Sequence, residues 1–178
     1  RYALSQLWRI DPLQIPLKAL PGEPPKLGKG WGQISISHCK DALLIGWSAN
    51  KIGVDIERWD RKFLAEKIAK RFFTKEEQEF LKNFKKQALN EAFLKQWIKK
   101  EALIKWQEGS INADLRKWKC PEKSYFGLHT SLGYKVKIHE IKYKSWMIAI
   151  ASSEKATHHK PMLCLDKNIS IRNIYLTN

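Results

Sequence analysis

Two acidic side chains stand in a short stretch that has the pattern of a β-strand. Residues 52–57 read Ile-Gly-Val-Asp-Ile-Glu, so Asp55 and Glu57 share one face of the strand while Val54 and Ile56 point to the other, toward a core. Two carboxylates this close raise each other's pKa unless a cation lies between them, and Mg²⁺ suits such an oxygen pair. The alternative is a solvated edge strand with two ordinary surface acids.

A second group of chemically active residues follows a helical spacing. Residues 97–105 read Trp-Ile-Lys-Lys-Glu-Ala-Leu-Ile-Lys, which places Trp97, Glu101 and Lys105 on one helix face. A glutamate followed one turn later by a lysine is also a common helix-stabilising pair. Trp97 and Leu103 indicate a partly buried helix, where an exposed ion pair would be out of place. Both interpretations of Glu101 and Lys105 stay open.

Ser37 and His38 end a third segment of interest. A lone histidine is more often structural than functional, but beside a metal and a phosphate it could donate a hydrogen bond to an anion.

The elements that must position these residues follow from hydrophobic periodicity and turn signals. A helix covers residues 1–8, and the proline- and glycine-rich residues 11–30 form an extended loop. Helices follow from about residue 61, from a capping box at Thr74, and over residues 87–107, where Gly109 ends the helix. The strands are predicted at residues 33–38, 42–47, 52–57, 124–130, 134–141, 145–151 and 169–176. Strands on both sides of a helical middle define an α+β fold.

Charge and cysteine content limit the function classes. The net charge of +15 favours an acidic partner, either nucleic acid, a membrane surface or an acidic protein. Three widely spaced cysteines form neither a disulfide framework nor a common zinc pattern, which fits a cytoplasmic protein. There is no apolar run of about 18 residues and no signal-peptide pattern, so we expect no membrane association.

In this order the motifs resemble those of the 4'-phosphopantetheinyl transferases, specifically the two-lobed monomeric type that activates peptide and polyketide synthetases and acyl carrier proteins. That family has a strand ending in Ser-His, then Gly-(Val/Ile)-Asp-(Ile/Val)-Glu, then Trp-x-x-Lys-Glu-(Ser/Ala)-x-x-Lys. The corresponding residues here are 37–38, 53–57 and 97–105, and residues 69–77 also look like the family's stretch. The resemblance runs from about residue 21 to residue 151.

The resemblance implies an enzyme of the holo-acyl-carrier-protein synthase type. It would move the phosphopantetheine arm of coenzyme A to a serine of an acidic apo acyl or peptidyl carrier protein and release 3',5'-ADP. Two pseudo-symmetric lobes, each an antiparallel sheet with a packed helix, are implied at residues 1–49, an incomplete first lobe, and 50–178, which carries the metal site. The basic surface would speed the encounter with the carrier. An apolar patch that includes Phe63, Phe72 and Phe73 is a candidate for carrier docking, with a core role expected for at least two of them.

The resemblance also assigns roles to residues. Asp55, Glu57 and Glu101 would bind Mg²⁺. Either Glu101 or a metal-bound water that it orients would serve as the base, and Lys105 would neutralise charge on the departing nucleotide. The residues implied to contact coenzyme A are Ser37, His38, Lys100, Gly22 and Pro24.

Some positions depart from the family pattern. The usual Gly-Lys-Pro before the Ser-His strand is Gly22-Glu23-Pro24, so the lysine contact would have to come from Lys26 or Lys29. Ser35 stands where the family usually has asparagine. Two rival functions remain, a basic nucleic-acid-binding module and an inactive family-like interaction protein. The first is disfavoured because the basic residues are dispersed and match no recognised nucleic-acid motif.

Overall fold

The computed structural model describes residues 1–122 and 124–153, together with two strands at residues 162–165 and 170–173. The elements of the first half are α1 (Tyr2–Trp8), β1 (Leu17–Lys18), β2 (Lys26–Leu27), β3 (Gln33–Cys39), β4 (Ala42–Ser48), β5 (Ile52–Arg58), α2 (Ala65–Phe72) and α3 (Lys75–Leu81). Those of the second half are α4 (Lys86–Gln107), α5 (Ile111–Asp114), β6 (Trp118–Lys119), β7 (Phe126–His129), β8 (Lys135–Tyr143), β9 (Trp146–Ser152), β10 (Met162–Leu165) and β11 (Ser170–Asn173). The mixture of helices with antiparallel sheets confirms the α+β class. Among the described residues no helix is long and apolar enough to span a membrane.

The first sheet has four antiparallel strands in the order β11-β10-β4-β3. Strand β10 was not predicted, and β11 lies within the strand predicted at residues 169–176, whose ends fall outside the described residues. Strands β10 and β11, which fall within the range predicted as the second lobe, share one sheet with β3 and β4. Strand β10 pairs with its sequence neighbour β11 on one side and with the distant strand β4 on the other.

The second sheet has five antiparallel strands in the order β5-β9-β8-β7-β6, and α4 packs on it. Gly53 permits this packing, because a Cβ atom there would lie 2.0 Å from the Ala102 carbonyl oxygen and 2.4 Å from the Trp106 nitrogen. Only a residue without a side chain lets helix and strand approach this closely. The carboxylate-bearing face of β5 is therefore held directly against α4.

The two faces of β5 belong to different environments. Val54 and Ile56 are buried in a core with Leu44 of β4 and Ile148 of β9. The opposite face, which starts with Gly53, lies against α4. The predicted division of the strand into a core face and a carboxylate face is confirmed.

Serine hydroxyls join the edges of the two sheets. Ser35 Oγ accepts a hydrogen bond from the Val54 amide at 3.0 Å, and Ser37 Oγ accepts one from the Ile56 amide at 3.3 Å. These two amides lie on the side of β5 away from its partner β9. The hydroxyls thus satisfy buried donors and fix β3 beside β5.

Helix boundaries follow the predictions with two corrections. Helix α2 begins at Ala65 rather than near residue 61, because the Asn90 side chain holds the preceding loop by accepting from the Phe63 amide at 3.1 Å and donating to the Arg61 carbonyl at 2.7 Å. Helix α4 ends with Glu108, not Gly109, in the left-handed conformation, at φ 61°.

The capping box predicted at Thr74 is confirmed. Thr74 Oγ1 accepts from the Glu77 amide at 3.3 Å, and Glu77 Oε2 accepts from the Thr74 amide at 2.9 Å. These reciprocal bonds satisfy two amides that the first turn of α3 would otherwise leave unpaired.

Lys100 lies inside the protein, away from any surface. Its side chain is 0% exposed, and Nζ contacts Glu77 Oε2 at 2.8 Å and the carbonyl oxygens of Leu115 and Trp118 at 3.1 and 2.5 Å. All three donors of the ammonium are thereby used. The implied contact of Lys100 with coenzyme A is therefore wrong, because the lysine ties α4 to α3 and β6 instead.

Replacing Lys100 tests this structural role. Lys100→Met should lower the free energy of unfolding by about 3–5 kcal/mol, because it leaves the buried Glu77 carboxylate without its cation. Lys82→Met is the matched control, since Lys82 pairs with Glu79 on the surface, and it should change stability by less than about 0.5 kcal/mol. Urea denaturation of both variants measures the difference. A Lys100→Met protein of unchanged stability would contradict the structural role.

Candidate functional site

A cleft of about 540 Å³ opens between the loop at residues 22–27, the edge strand β3 and the C-terminal end of α4. Gly22, Pro24 and Lys105, three of the residues singled out in the sequence, line it. Lys26 and Lys51 line it as well, so three ammonium groups surround the cleft. This charge suits an anionic ligand.

The far end of the cleft is formed by Trp106 and Glu108. Lys51 Nζ lies 5.4 Å from the centre of the Trp106 ring, and Lys26 Nζ lies 3.9 Å from Glu108 Oε2. Lys26 is one of the two lysines expected to replace the lysine that Glu23 displaces. Both Lys26 and Glu108 are largely exposed, so their ion pair contributes little to stability. Lys26 is therefore able to leave Glu108 and bind an anionic ligand such as a phosphate.

Asp55 contacts the cleft through Lys105. Lys105 Nζ donates to Asp55 Oδ1 at 2.7 Å and to Ser37 Oγ at 2.8 Å, and Ser37 Oγ donates to the same carboxylate oxygen at 2.7 Å. The second oxygen, Asp55 Oδ2, is buried without a hydrogen-bond partner. Lys105 therefore reaches across to the strand, which differs from a simple helix-surface pair with Glu101.

Glu57 has a parallel arrangement, two residues further along β5. Arg61 donates to Glu57 Oε1, and Glu57 Oε2 is buried without a partner. Burial raises the pKa of Glu57 above its ordinary value, and the nearby Arg61 opposes that rise. Each strand carboxylate thus has one oxygen on a cation and one oxygen free.

Glu101 faces both strand carboxylates from α4. Burial and the negative charge of Asp55 raise the pKa of Glu101 to about 7, while Lys105 acts in the opposite direction. Asp55 and Glu57 both act on Glu101, which shows that the three acids share one local field. A carboxyl group with this pKa is partly ionised at neutral pH.

The donor set fits a divalent cation in its chemistry. Asp55 and Glu57 each have one buried carboxylate oxygen without a hydrogen-bond partner, and Glu101 has a raised pKa. A hard divalent cation would neutralise the negative charge of these three groups. In the part of the chain that the structure describes, no three His, Cys, Asp or Glu side chains already stand in metal-binding geometry. Lys105 and Arg61 each hold one oxygen of a strand carboxylate in an ion pair.

The remaining predicted residues differ in their burial and position. Ser37 is buried and bridges Asp55 and Lys105, whereas His38 is exposed on the next position of β3. Phe73 is fully buried, and Phe63 and Phe72 pack half-buried against the same core. The three phenylalanines thus have the core role expected for at least two of them.

The family of the chain follows from comparison with known proteins. A family model of the 4'-phosphopantetheinyl transferase superfamily matches residues 51–155, which is more than half of the chain. The chain therefore belongs to this superfamily, whose common activity is phosphopantetheine transfer. The matched range contains Asp55, Glu57, Glu101 and Lys105. No curated protein matches the chain.

Sequence reasoning missed three residues of this site. Two of them are Arg61 and Asn90. The Asn90 side chain fixes the loop that contains Arg61 from 29 positions away, and no local sequence pattern indicates such a contact. Lys51 is the third of these residues. Its position directly before the strand that carries both carboxylates was the one available signal.

The raised pKa of Glu101 predicts a pH dependence of stability. The folded protein holds this proton more tightly than the unfolded chain, so the contribution of Glu101 to the free energy of unfolding falls as pH rises from about 4.5 to about 7 and then levels off. Between pH 5 and pH 8 the fall should be about 2 kcal/mol. Glu101→Gln should remove it, as measured by urea denaturation in a chelating buffer. Parallel pH curves for the two proteins would contradict the raised pKa.

Proposed function

We propose that the protein transfers the 4'-phosphopantetheine arm of coenzyme A to a serine hydroxyl of an acidic apo carrier protein and releases 3',5'-ADP. The observation that supports this most directly is that Glu101 interacts electrostatically with the buried Asp55 and Glu57. Lys105, which contacts Asp55, lines an adjoining cleft that also contains Lys26 and Lys51. Membership of the superfamily supports the transfer of phosphopantetheine in general. The proposal of this specific reaction is based on the residues of the candidate site.

Mg²⁺ is the metal that the carboxylates would hold. Asp55 and Glu57 would bind it through the oxygens that lack partners, and Glu101 would bind it from α4. When bound, the ion would offset charge on the pyrophosphate of coenzyme A during the displacement.

The side chains of the protein handle the proton and the developing charge. Glu101, with its pKa near 7, is suited to accept the proton that leaves the carrier serine hydroxyl. The bond that forms joins the serine oxygen to the β-phosphorus, and the bond that breaks leaves its electron pair on the 3',5'-ADP phosphate. Lys105 can turn from Asp55 toward that phosphate, because its side chain is 29% exposed on the cleft side.

The cleft and the surface supply binding. Lys26 and Lys51 are placed to pair with coenzyme A phosphates, and the Trp106 ring offers an apolar wall. Gly22 and Pro24 line the same cleft, and the family resemblance implies that they contact coenzyme A. The net charge of +15 favours rapid encounter with an acidic carrier in a protein that we propose to be monomeric and cytoplasmic.

Two substitutions on α4 test the proposed chemistry. Lys105→Ala should lower turnover by about 100-fold or more, because one charge partner of the transition state is lost. Glu101→Gln should abolish transfer, since it removes both the base and a metal ligand. Transfer is measured as the mass increase of an apo acyl carrier protein incubated with coenzyme A and Mg²⁺.

The matched controls are Lys95→Ala and Glu91→Gln, which change an exposed ion pair on the same helix. Both should keep wild-type turnover, and thermal melting of all four variants separates lost chemistry from lost folding. Wild-type rates in Lys105→Ala and Glu101→Gln would place the active site elsewhere. Coenzyme A binding by calorimetry without any transfer would identify an inactive interaction protein instead.

A further inference from the structure

The loop between β5 and α2 places a cation on Glu57. The Arg61 guanidinium donates to Glu57 Oε1 and lies 4.6 Å from the centre of the Phe63 ring. Its backbone is held on both sides, since the Arg61 amide donates to the Arg58 carbonyl at 3.1 Å and the Arg61 carbonyl accepts from Asn90 Nδ2 at 2.7 Å. The loop therefore presents Arg61 to Glu57 from a fixed base.

The two ends of this ion pair differ in their freedom. The Glu57 side chain is 11% exposed, whereas the Arg61 side chain is 53% exposed. An exposed guanidinium recovers its hydration when it leaves, but a buried carboxylate that loses its cation does not. Arg61 can consequently swing away only if another positive charge takes its place on Glu57.

We propose that Arg61, positioned by Asn90, is an internal counter-cation that competes with the divalent metal for Glu57 and so sets the metal concentration at which the site fills. This inference rests on the proposed metal site. In the free protein the guanidinium stabilises the buried carboxylate. When a metal binds Glu57, the Arg61 guanidinium would leave the carboxylate and keep its contact with the Phe63 ring.

Lys105 occupies the corresponding place on Asp55, but it differs in what holds it. Lys105 also contacts Ser37 and belongs to α4, so it forms part of the joint between the sheets. Arg61 belongs to a short loop held by one asparagine side chain, so replacing it leaves the joint between the sheets intact. Its effect on stability can be measured separately from its effect on metal affinity.

Titration with Mn²⁺ alone, followed by the electron paramagnetic resonance signal of the free ion, tests the proposal without coenzyme A. Arg61→Gln should bind Mn²⁺ about fivefold more tightly than the wild type. The metal no longer has to displace Arg61 from Glu57, and this fold-change corresponds to the energy of one ion pair with an exposed partner. Arg61→Lys should stay near the wild type, because it keeps the charge. Arg71→Gln is the matched control, since Arg71 is an exposed arginine that lies over Phe72 at 4.8 Å, and it should change nothing.

Asn90→Ala tests the positioning role. Freeing the loop should tighten Mn²⁺ binding in the same direction as Arg61→Gln, and the double variant should gain little beyond Arg61→Gln alone. Thermal melting confirms that each variant is folded. A purely structural asparagine would instead lower stability and leave the Mn²⁺ affinity unchanged.

The outcomes separate the two proposals. Unchanged Mn²⁺ affinity in Arg61→Gln, with weaker coenzyme A binding, would overturn the competition and make Arg61 a phosphate ligand. Asp55→Asn, which alters the metal site itself, should weaken Mn²⁺ binding whatever Arg61 does. If Asp55→Asn has no effect, or if the wild type binds no Mn²⁺, the metal site fails and the competition fails with it.

Discussion

The close approach of α4 to β5 at Gly53 is the constraint on which the rest of the site depends. A strand and a helix normally stand apart by the thickness of their side chains, but here the helix backbone lies where a Cβ atom would be. This contact brings residues more than forty positions apart into one electrostatic field. Because Gly53 carries no side chain, the acids of β5 and the glutamate of α4 lie close enough to affect one another's ionisation.

Charge balance explains why such a concentration of acids is compatible with folding. Asp55 and Glu57 are buried, and buried carboxylates are costly unless a cation accompanies each of them. The protein supplies Lys105 from the helix and Arg61 from a loop, each to one oxygen only. The remaining oxygens stay free, so the site is stable enough to fold and still has capacity for an additional positive charge.

Local periodicity was sufficient to find the acids and their shared face, because alternation in β5 and helical spacing in α4 are properties of short segments. It could not find the partner of Lys100, since Glu77 lies on another helix and only the packed structure brings the two together. Arg61 was missed for a similar reason, as Asn90 shapes its loop from a distance. Strand β10, four consecutive apolar residues without alternation, is defined by its pairing with β4.

The serine hydroxyls between β3 and β5 have a consequence for association with other chains. An edge strand with free amides is a template on which a foreign strand can add, and this is a common route to aggregation. On β5 the amides of Val54 and Ile56 are already occupied by Ser35 and Ser37, and β3 covers that edge. The strand that carries the two buried carboxylates is therefore also protected from unwanted sheet extension.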